Sequence, residues 1–175
     1  NFNYVLSSVT DVLGCTQSLS GLGIAASVKV NKLPDAILAK SATVCQNTPA
    51  LPPVTFTGSG NASNTPYTFT YNLEWAGGTQ IDSIKTVTGN KVSLDAPVNV
   101  PGTFIYRITD VSYNQGRVCS KAQDDSITII VNPLPLASVT GGGEICKDSL
   151  APSVTFVGSA GTPPYVFSFK INSQA

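Results

Sequence analysis

Cysteine is the residue type whose number and spacing suggest the clearest chemistry in this chain. The four cysteines are Cys15, Cys45, Cys119 and Cys146; none stands in a Cys-x-x-Cys pair, and the 175 residues include no histidine. Zinc sites are built from closely spaced cysteines and histidines, so this pattern disfavours a zinc centre and favours disulfide bonds.

Asp124 and Asp125 form the one adjacent acidic pair of the sequence. Two neighbouring carboxylates could give calcium two hard oxygen ligands, with backbone carbonyls completing the shell. The sequence has no Asp-x-Asp-x-Asp motif to support such a site, and a solvated loop that keeps a strand edge polar is the simpler interpretation. We therefore expect no cofactor, with calcium at Asp124 and Asp125 as a weak alternative.

Other classes of function lack the residues they need. Without histidine there is no Ser-His or Cys-His pair, and the two glutamates, Glu74 and Glu144, lie far apart in the sequence, so we expect no enzyme. The formal net charge is zero and there is no basic block, which argues against nucleic-acid binding. The apolar runs are too short to span a bilayer, so no membrane insertion is expected in this segment.

The elements that must position these residues are β-strands. Apolar side chains alternate with polar ones from Tyr67 to Trp75, and this period of two predicts a strand with one buried face. Residues 104–108 and 127–131 alternate in the same way. We expect the aromatic row to form the core, with Trp75 packed at the core edge, rather than a platform for sugar rings.

Glycine-rich stretches separate the predicted strands. Gly89-Asn90 lies between residues 81–88 and 91–96 and predicts a hairpin that joins them. No segment shows a sustained helical period of apolar residues with caps. Short strands with turns every 8–12 residues are typical of an all-β, immunoglobulin-like sandwich.

The sequence also repeats itself with a period of about 100 residues, which is the size of one small domain. Cys146 lies 101 residues after Cys45. Longer motifs recur at similar offsets: Val30-Asn31-Lys32-Leu33-Pro34 as Val131-Asn132-Pro133-Leu134-Pro135, Val54-Thr55-Phe56-Thr57-Gly58 as Val154-Thr155-Phe156-Val157-Gly158, and Pro66-Tyr67-Thr68-Phe69 as Pro164-Tyr165-Val166-Phe167.

This period predicts tandem Ig-like repeats, one complete and two partial. We expect residues 35–134 to form a complete repeat of about seven strands. Residues 1–34 would supply the C-terminal strands of a preceding repeat, and residues 135–175 the N-terminal strands of a following one. The linkers Lys32-Leu33-Pro34 and Pro133-Leu134-Pro135 contain proline and lack glycine, so they should be extended and stiff and should align the repeats as a rod.

The repeat also bears on the cysteines, for which three pairings are possible. We favour Cys45 with Cys119, because each repeat would then carry its own bridge, with Cys15 and Cys146 paired to residues outside this sequence. The alternative places staples across repeat boundaries, Cys15 with Cys45 and Cys119 with Cys146. The sequence leaves that alternative open.

The order of the motifs resembles a known family. The motifs follow one another in this order: Val-Asn-Pro-Leu-Pro, Val-Cys or Ile-Cys, Val-Thr-Phe-x-Gly, Pro-Tyr-x-Phe, Gly-Thr-Phe-x-Tyr and a late cysteine. This order is similar to that of the PKD-like or Ig-like repeats of very large cell-surface proteins of Bacteroidetes. Such repeats occur in gliding-motility adhesins and related proteins secreted by the type IX system. The resemblance implies an extracellular, multi-repeat stalk or adhesin at the cell surface.

The same resemblance suggests glycosylation. Ser83, Ser126 and Ser149 each follow an aspartate and precede isoleucine or leucine, which is similar to the acceptor motif for O-glycosylation in Bacteroidetes. A glycan would add bulk and solubility to a surface on which charged residues make up only 11% of the chain. Asn61-Ala62-Ser63 fits the N-glycan pattern, but a bacterial source would leave it unused.

The sequence therefore predicts a structural stalk of a large extracellular adhesin that holds a distal binding region away from the cell. Its partners would be the neighbouring repeats of the same chain, with surface glycans or other cell-surface proteins as further candidates. Two alternatives belong to other classes: a module that binds glycan or protein directly, and an accessory β-domain of a secreted enzyme.

Overall fold

The computed structural model describes residues 1–60 and 66–171, and the regular structure in those ranges consists of β-strands, which confirms the all-β class. The first 34 residues contribute four short strands: β1 (Phe2–Val5), β2 (Ser8–Thr10), β3 (Thr16–Ser18) and β4 (Ala25–Val28). The last described segment contributes two: β14 (Leu136–Gly141) and β15 (Val154–Ser159). These six strands pair only among themselves, as β1–β4, β2–β3 and β14–β15.

Between them, the described part of residues 35–134 forms nine strands rather than about seven. They are β5 (Asp35–Ala39), β6 (Ala42–Cys45), β7 (Pro53–Ser59), β8 (Tyr67–Trp75), β9 (Gly78–Lys85), β10 (Lys91–Asp95), β11 (Gly102–Asn114), β12 (Val118–Ala122) and β13 (Ser126–Asn132). The number is higher because the first strand divides at Lys40, where a positive φ of 72° turns the chain, and because β12 forms a separate hairpin arm on β11.

Two sheets face each other in this central unit. The larger has the order β6-β13-β11-β8-β9, with β12 also paired to β11, and the smaller has the order β10-β7-β5. The pairs are antiparallel except β6 with β13, which is parallel. The turn at Lys40 takes the chain from β5 in the small sheet to β6 in the large one, so the first strand contributes to both layers.

The core lies between the two sheets, and all of its buried apolar side chains fall between Ala36 and Val131. Phe56 from the small sheet is fully buried, and its ring centroid lies 5.6 Å from that of Phe69 and 5.1 Å from that of Tyr71, both in the large sheet. Aromatic pairs at this spacing contribute beyond the area they bury. They join the layers at the centre.

The predicted alternation along β8 is confirmed for most of its length. Tyr67, Phe69 and Tyr71 are buried, and Leu73 packs partly buried against the same core. Trp75 departs from the expectation: 36% of it is exposed, it lies outside the core cluster, and it stands at the hairpin that leads into β9.

The predicted hairpin at Gly89-Asn90 is wrong. β9 pairs with β8 in the large sheet, whereas β10 pairs with β7 in the small one, so this turn carries the chain between layers. Thr86 holds the crossover in place: its buried hydroxyl accepts a hydrogen bond from the backbone N–H of Tyr67 at 2.9 Å and donates to the carbonyl of Gly89 at 3.0 Å. The true hairpin joins β8 and β9 through Ala76-Gly77.

Local backbone geometry recurs about 100 residues along the chain. Left-handed φ angles occur at three pairs of equivalent positions: Lys40 and Gly141 (72° and 96°), Asn47 and Asp148 (59° and 69°), and Gly60 and Ala160 (100° and 64°). An L-residue rarely adopts such a φ, so its recurrence at non-glycine positions reflects a shared path of the chain.

The flanking segments carry the same apolar residues as the central unit but leave them uncovered. Phe2-Asn3-Tyr4 recurs as Phe104-Ile105-Tyr106; Phe104 is 7% exposed, whereas Phe2 is 59% exposed. Phe56 is fully buried, whereas Phe156 is 37% exposed. Phe156 is only partly covered, by Phe167 and Phe169, whose ring centroids lie 5.8 and 5.0 Å from its own, and Phe2 lies on the two-stranded sheet β1–β4. The flanking segments thus cover their apolar side chains less completely than the central unit does.

This contrast gives a matched test of the core. Phe56→Ala should destabilise the central unit by about 3–5 kcal/mol, because it leaves a cavity between the two sheets. Phe156→Ala removes the same side chain from a partly exposed site and should change the same transition by less than about 1 kcal/mol. Urea unfolding followed by the fluorescence of Trp75, the single tryptophan, measures both. Equal losses in the two variants would contradict the assignment of the core.

The core also predicts a loss of stability at alkaline pH. Burial, with a smaller contribution from neighbouring Tyr71, raises the pKa of Tyr106 to about 12, against about 10 for an exposed phenol. The fold favours the neutral phenol, so this stabilisation is complete below about pH 10 and is lost as the pH rises toward about 12. Urea unfolding across this range should show the decline, and Tyr106→Phe should reduce its slope. An unchanged slope in that variant would refute the assignment.

Candidate functional site at the ends of the sandwich

The cysteines mark the two ends of the central unit. Cys45 is the last residue of β6 and lies opposite Asn132, at the end where the chain leaves through Pro133. Cys119 lies on β12 opposite Tyr113, near the other end of β11, where the chain enters. We call Cys45 and its counterpart Cys146 the early cysteines, and Cys119 and its counterpart Cys15 the late cysteines. All four fall within the described residues and are free thiols.

The structure therefore contradicts the favoured bridge between Cys45 and Cys119. Gly102 pairs with Val131 beside the Cys45 end, whereas Tyr113 pairs with Cys119. Eleven residue steps along an extended strand correspond to about 36 Å. A disulfide requires Cα atoms within about 7 Å, so the two thiols of one sandwich cannot meet.

Equivalent cysteines have equivalent surroundings in the flanking segments. Thr48 donates its backbone N–H to the carbonyl of Cys45 at 3.2 Å, and Ser149 donates to that of Cys146 at 3.1 Å. At the late position, Asp11 donates its backbone N–H to the carbonyl of Cys15 at 3.0 Å at the end of the β2–β3 ladder. The alternative pairing joins Cys15 with Cys45 and Cys119 with Cys146. In each of these pairs, a linker joins the two segments, and both cysteines lie at the ends of their segments that face away from that linker.

The linker that enters the sandwich is held by several contacts. The Tyr113 hydroxyl donates a hydrogen bond to the carbonyl of Lys32, and Pro34 is fully buried. A Cβ on Gly60 would lie 2.5 Å from the carbonyl oxygen of Leu33, so only glycine allows this approach. The pKa of the Tyr113 phenol is raised, mainly by burial and to a smaller extent by its interaction with the Cys119 side chain.

The linker that leaves the sandwich is held by Gln46. Its amide Nε2 donates to the carbonyl of Asn99 at 2.9 Å, its backbone N–H donates to the carbonyl of Asn132 at 2.8 Å, and its Oε1 accepts from the N–H of Leu134 at 3.5 Å. A Cβ on Gly161 would lie 3.1 Å from the Cβ of Pro135, so a glycine of the following segment also packs closely on this linker. Each linker thus contacts a glycine of the segment that follows it.

Asp124 and Asp125 are engaged by nitrogen donors. Asp124 Oδ1 accepts a hydrogen bond from Arg107 Nη1 at 2.7 Å. Asp125 Oδ2 accepts from the backbone N–H of Leu38 at 2.7 Å, and its Oδ1 accepts from the N–H of Ser126 at 3.0 Å. Within the residues that the structure describes, no group of three or more His, Cys, Asp or Glu side chains is placed to hold a metal ion. Asp125 instead joins the two sheets.

The three serines of the Asp-Ser-apolar motifs are exposed. Ser83 lies on β9, the outer strand of the large sheet, Ser126 begins β13, and Ser149 lies in the turn after Cys146. At the first of these sites the carboxylate of Asp82 accepts the N–H of Ser83 at 2.7 Å. Glycosylation at these positions stays a prediction. The Asn61-Ala62-Ser63 pattern lies outside the described residues.

Sequence patterns did not identify Tyr113 and Gln46, the two residues that hold the linkers. Tyr113 continues the alternation of Phe104, Tyr106 and Ile108 only after a β-bulge between Ile108 and Asp110 shifts the register. Gln46 follows Cys45 and carries no motif of its own.

In the described residues, no helix is long and apolar enough to cross a membrane.

The acidic pair gives a test with a built-in control. Asp125→Ala should lower the free energy of unfolding by about 1–3 kcal/mol, because the buried N–H of Leu38 loses its charged acceptor. Asp124→Ala removes only an exposed ion pair and should cost less than about 1 kcal/mol. Chemical denaturation of both variants measures the difference. A larger loss for Asp124→Ala would contradict the role assigned to Asp125.

Comparison of the chain with protein-family models gives no match, and comparison with curated proteins likewise gives none.

Proposed function

We propose that this chain is part of a tandem array of Ig-like sandwich repeats that forms the structural stalk of an extracellular adhesin at a cell surface. Residues 35–134 are one complete repeat, residues 1–34 the end of the preceding one and residues 135–175 the start of the next. The array holds a distal binding region away from the cell. The neighbouring repeats are the partners of each unit.

The observation that carries this proposal is the anchoring of both linkers. Tyr113 binds the entering linker at Lys32, and Gln46 binds the leaving linker at Leu134. A linker held by side chains of the sandwich has little freedom to bend, so successive units keep one orientation. A stalk requires this stiffness, whereas a flexible chain of independent binding modules does not.

Two further observations support a mechanical role. The long central strand β11 pairs with β8, β12 and β13, so many backbone hydrogen bonds resist a pull along it together. The low content of charged residues and the exposed serines suit a glycosylated extracellular surface. The resemblance to repeats of Bacteroidetes surface proteins points the same way.

Small-angle X-ray scattering of chains with one, two and four copies of residues 34–134 tests the stalk. Because the 13 residues of β11 span about 40 Å, the maximum dimension should grow by about 40 Å with each copy. Gln46→Ala in every copy should shorten the four-copy chain by freeing the leaving linker. A dimension that grows only with the square root of copy number would refute the stalk. Binding of the one-copy chain to a glycan array would favour the binding module instead.

A further inference from the structure

The positions of the early and late cysteines at opposite ends of the sandwich suggest a third way of pairing them. Cys45 lies at the end where the chain leaves, and Cys119 at the end where it enters. Across any junction of a tandem array, the early cysteine of one repeat therefore approaches the late cysteine of the following repeat. Neither pairing considered from the sequence alone joins these two positions.

The junction after the central unit contains the geometry for such a meeting. Cys45 lines a groove of about 380 Å³ together with Pro133, Pro135 and Tyr165. Its thiol is exposed there. The groove lies between the end of the complete sandwich and the first residues of the next segment.

The position of Tyr165 indicates which residues of the following repeat lie next to this groove. Its counterpart Tyr67 has the same local packing, since the ring of Tyr67 lies against Gly58 and the ring of Tyr165 against Gly158, each where a Cβ would clash. In the complete repeat, the ring of Tyr67 lies 5.8 Å from that of Tyr113.

Tyr113 pairs directly with Cys119 across the β11–β12 ladder, and Cys119 packs against the core cluster to which Tyr113 belongs. Tyr67, Tyr113 and Cys119 thus form one cluster at the entry end. The late cysteine of the next repeat must occupy the same position relative to Tyr165. That position borders the groove into which Cys45 is exposed.

We propose that the early cysteine of each repeat forms a disulfide with the late cysteine of the repeat that follows it. Cys45 pairs with the counterpart of Cys119 in the next repeat, and Cys119 pairs with the counterpart of Cys45 in the preceding one. The inference rests on the tandem array proposed above. In this arrangement, two covalent connections join neighbouring repeats at each junction: the backbone of the linker and the disulfide.

The bond forms by thiol–disulfide exchange with a small-molecule disulfide such as oxidised glutathione, or with a disulfide oxidoreductase of the same compartment. The two cysteine thiols lose two protons and two electrons and form one S–S bond. The oxidant accepts both and is reduced to two thiols. The bridge closes a ring around the proline linker, so a pull on the array is carried past the linker.

The test extends the natural chain so that the third repeat is complete. Residues 1–171 are followed by residues 74–134, because Ile171 is the counterpart of Leu73 in the repeat. The appended copy carries Lys121→Arg, so its tryptic peptide with Cys119 differs in mass from the native one. After equilibration in reduced and oxidised glutathione, free thiols are alkylated and the digest is mapped without reduction.

The expected result is one disulfide, between the peptide of Cys45 and the appended peptide of Cys119, with three of the five thiols alkylated. Cys45→Ser should leave the appended Cys119 alkylated. The natural 175-residue chain should keep its four thiols free under the same conditions. A folded extended chain in which the appended Cys119 is alkylated, or bound to any other cysteine, would overturn the proposal.

Two controls separate the possible failures. If the extended chain does not fold by circular dichroism, the same mapping on two head-to-tail copies of residues 34–134 decides the pairing. Scattering from the same samples distinguishes the two proposals, because an elongated chain without the bridge refutes only the disulfide. A chain that is not elongated refutes the stalk as well.

Discussion

The packing of Phe56 against Phe69 and Tyr71 is the interaction on which the rest of the structure depends. It closes the small sheet over the large one and buries the apolar alternation of both. In the flanking segments the same residue types stay more exposed, as at Phe2 and Phe156. Burial of apolar area is the dominant favourable contribution to folding, so we expect it to stabilise the central unit more than the flanking segments.

The closed sandwich also sets the chemistry of its ends. The length of β11 keeps Cys45 and Cys119 far apart, so a bridge within one unit is excluded. The same length places each thiol beside a linker, where another unit begins. Tyr113 and Gln46 hold those linkers by hydrogen bonds. In the stalk that we propose, function resides in the junctions, and the core supplies the rigid separation between them.

Much of the fold could be predicted from local patterns. The alternation from Tyr67 to Tyr71 identified a buried strand face, and the recurrence of Val54-Thr55-Phe56-x-Gly58 matched a recurrence of backbone geometry at Gly60 and Ala160. The candidate site was predicted less well, because sequence patterns did not identify Tyr113 and Gln46. The crossover between the two sheets was predicted wrongly. Gly89-Asn90 has the composition of a hairpin but joins two sheets, because Thr86 binds both Tyr67 and Gly89 at the crossover.

The sequence by itself determined the alternation of the main strands, the period of about 100 residues and the positions of the two proline-containing linkers. These features depend on side-chain alternation and on the conformational freedom of glycine and proline, which act over a few residues. Only the tertiary structure decided which strands share a sheet, what Asp125 binds and which cysteines can meet. Those relations join residues as distant in the chain as Leu38 and Asp125, and they exist only after the two sheets have closed on a common core.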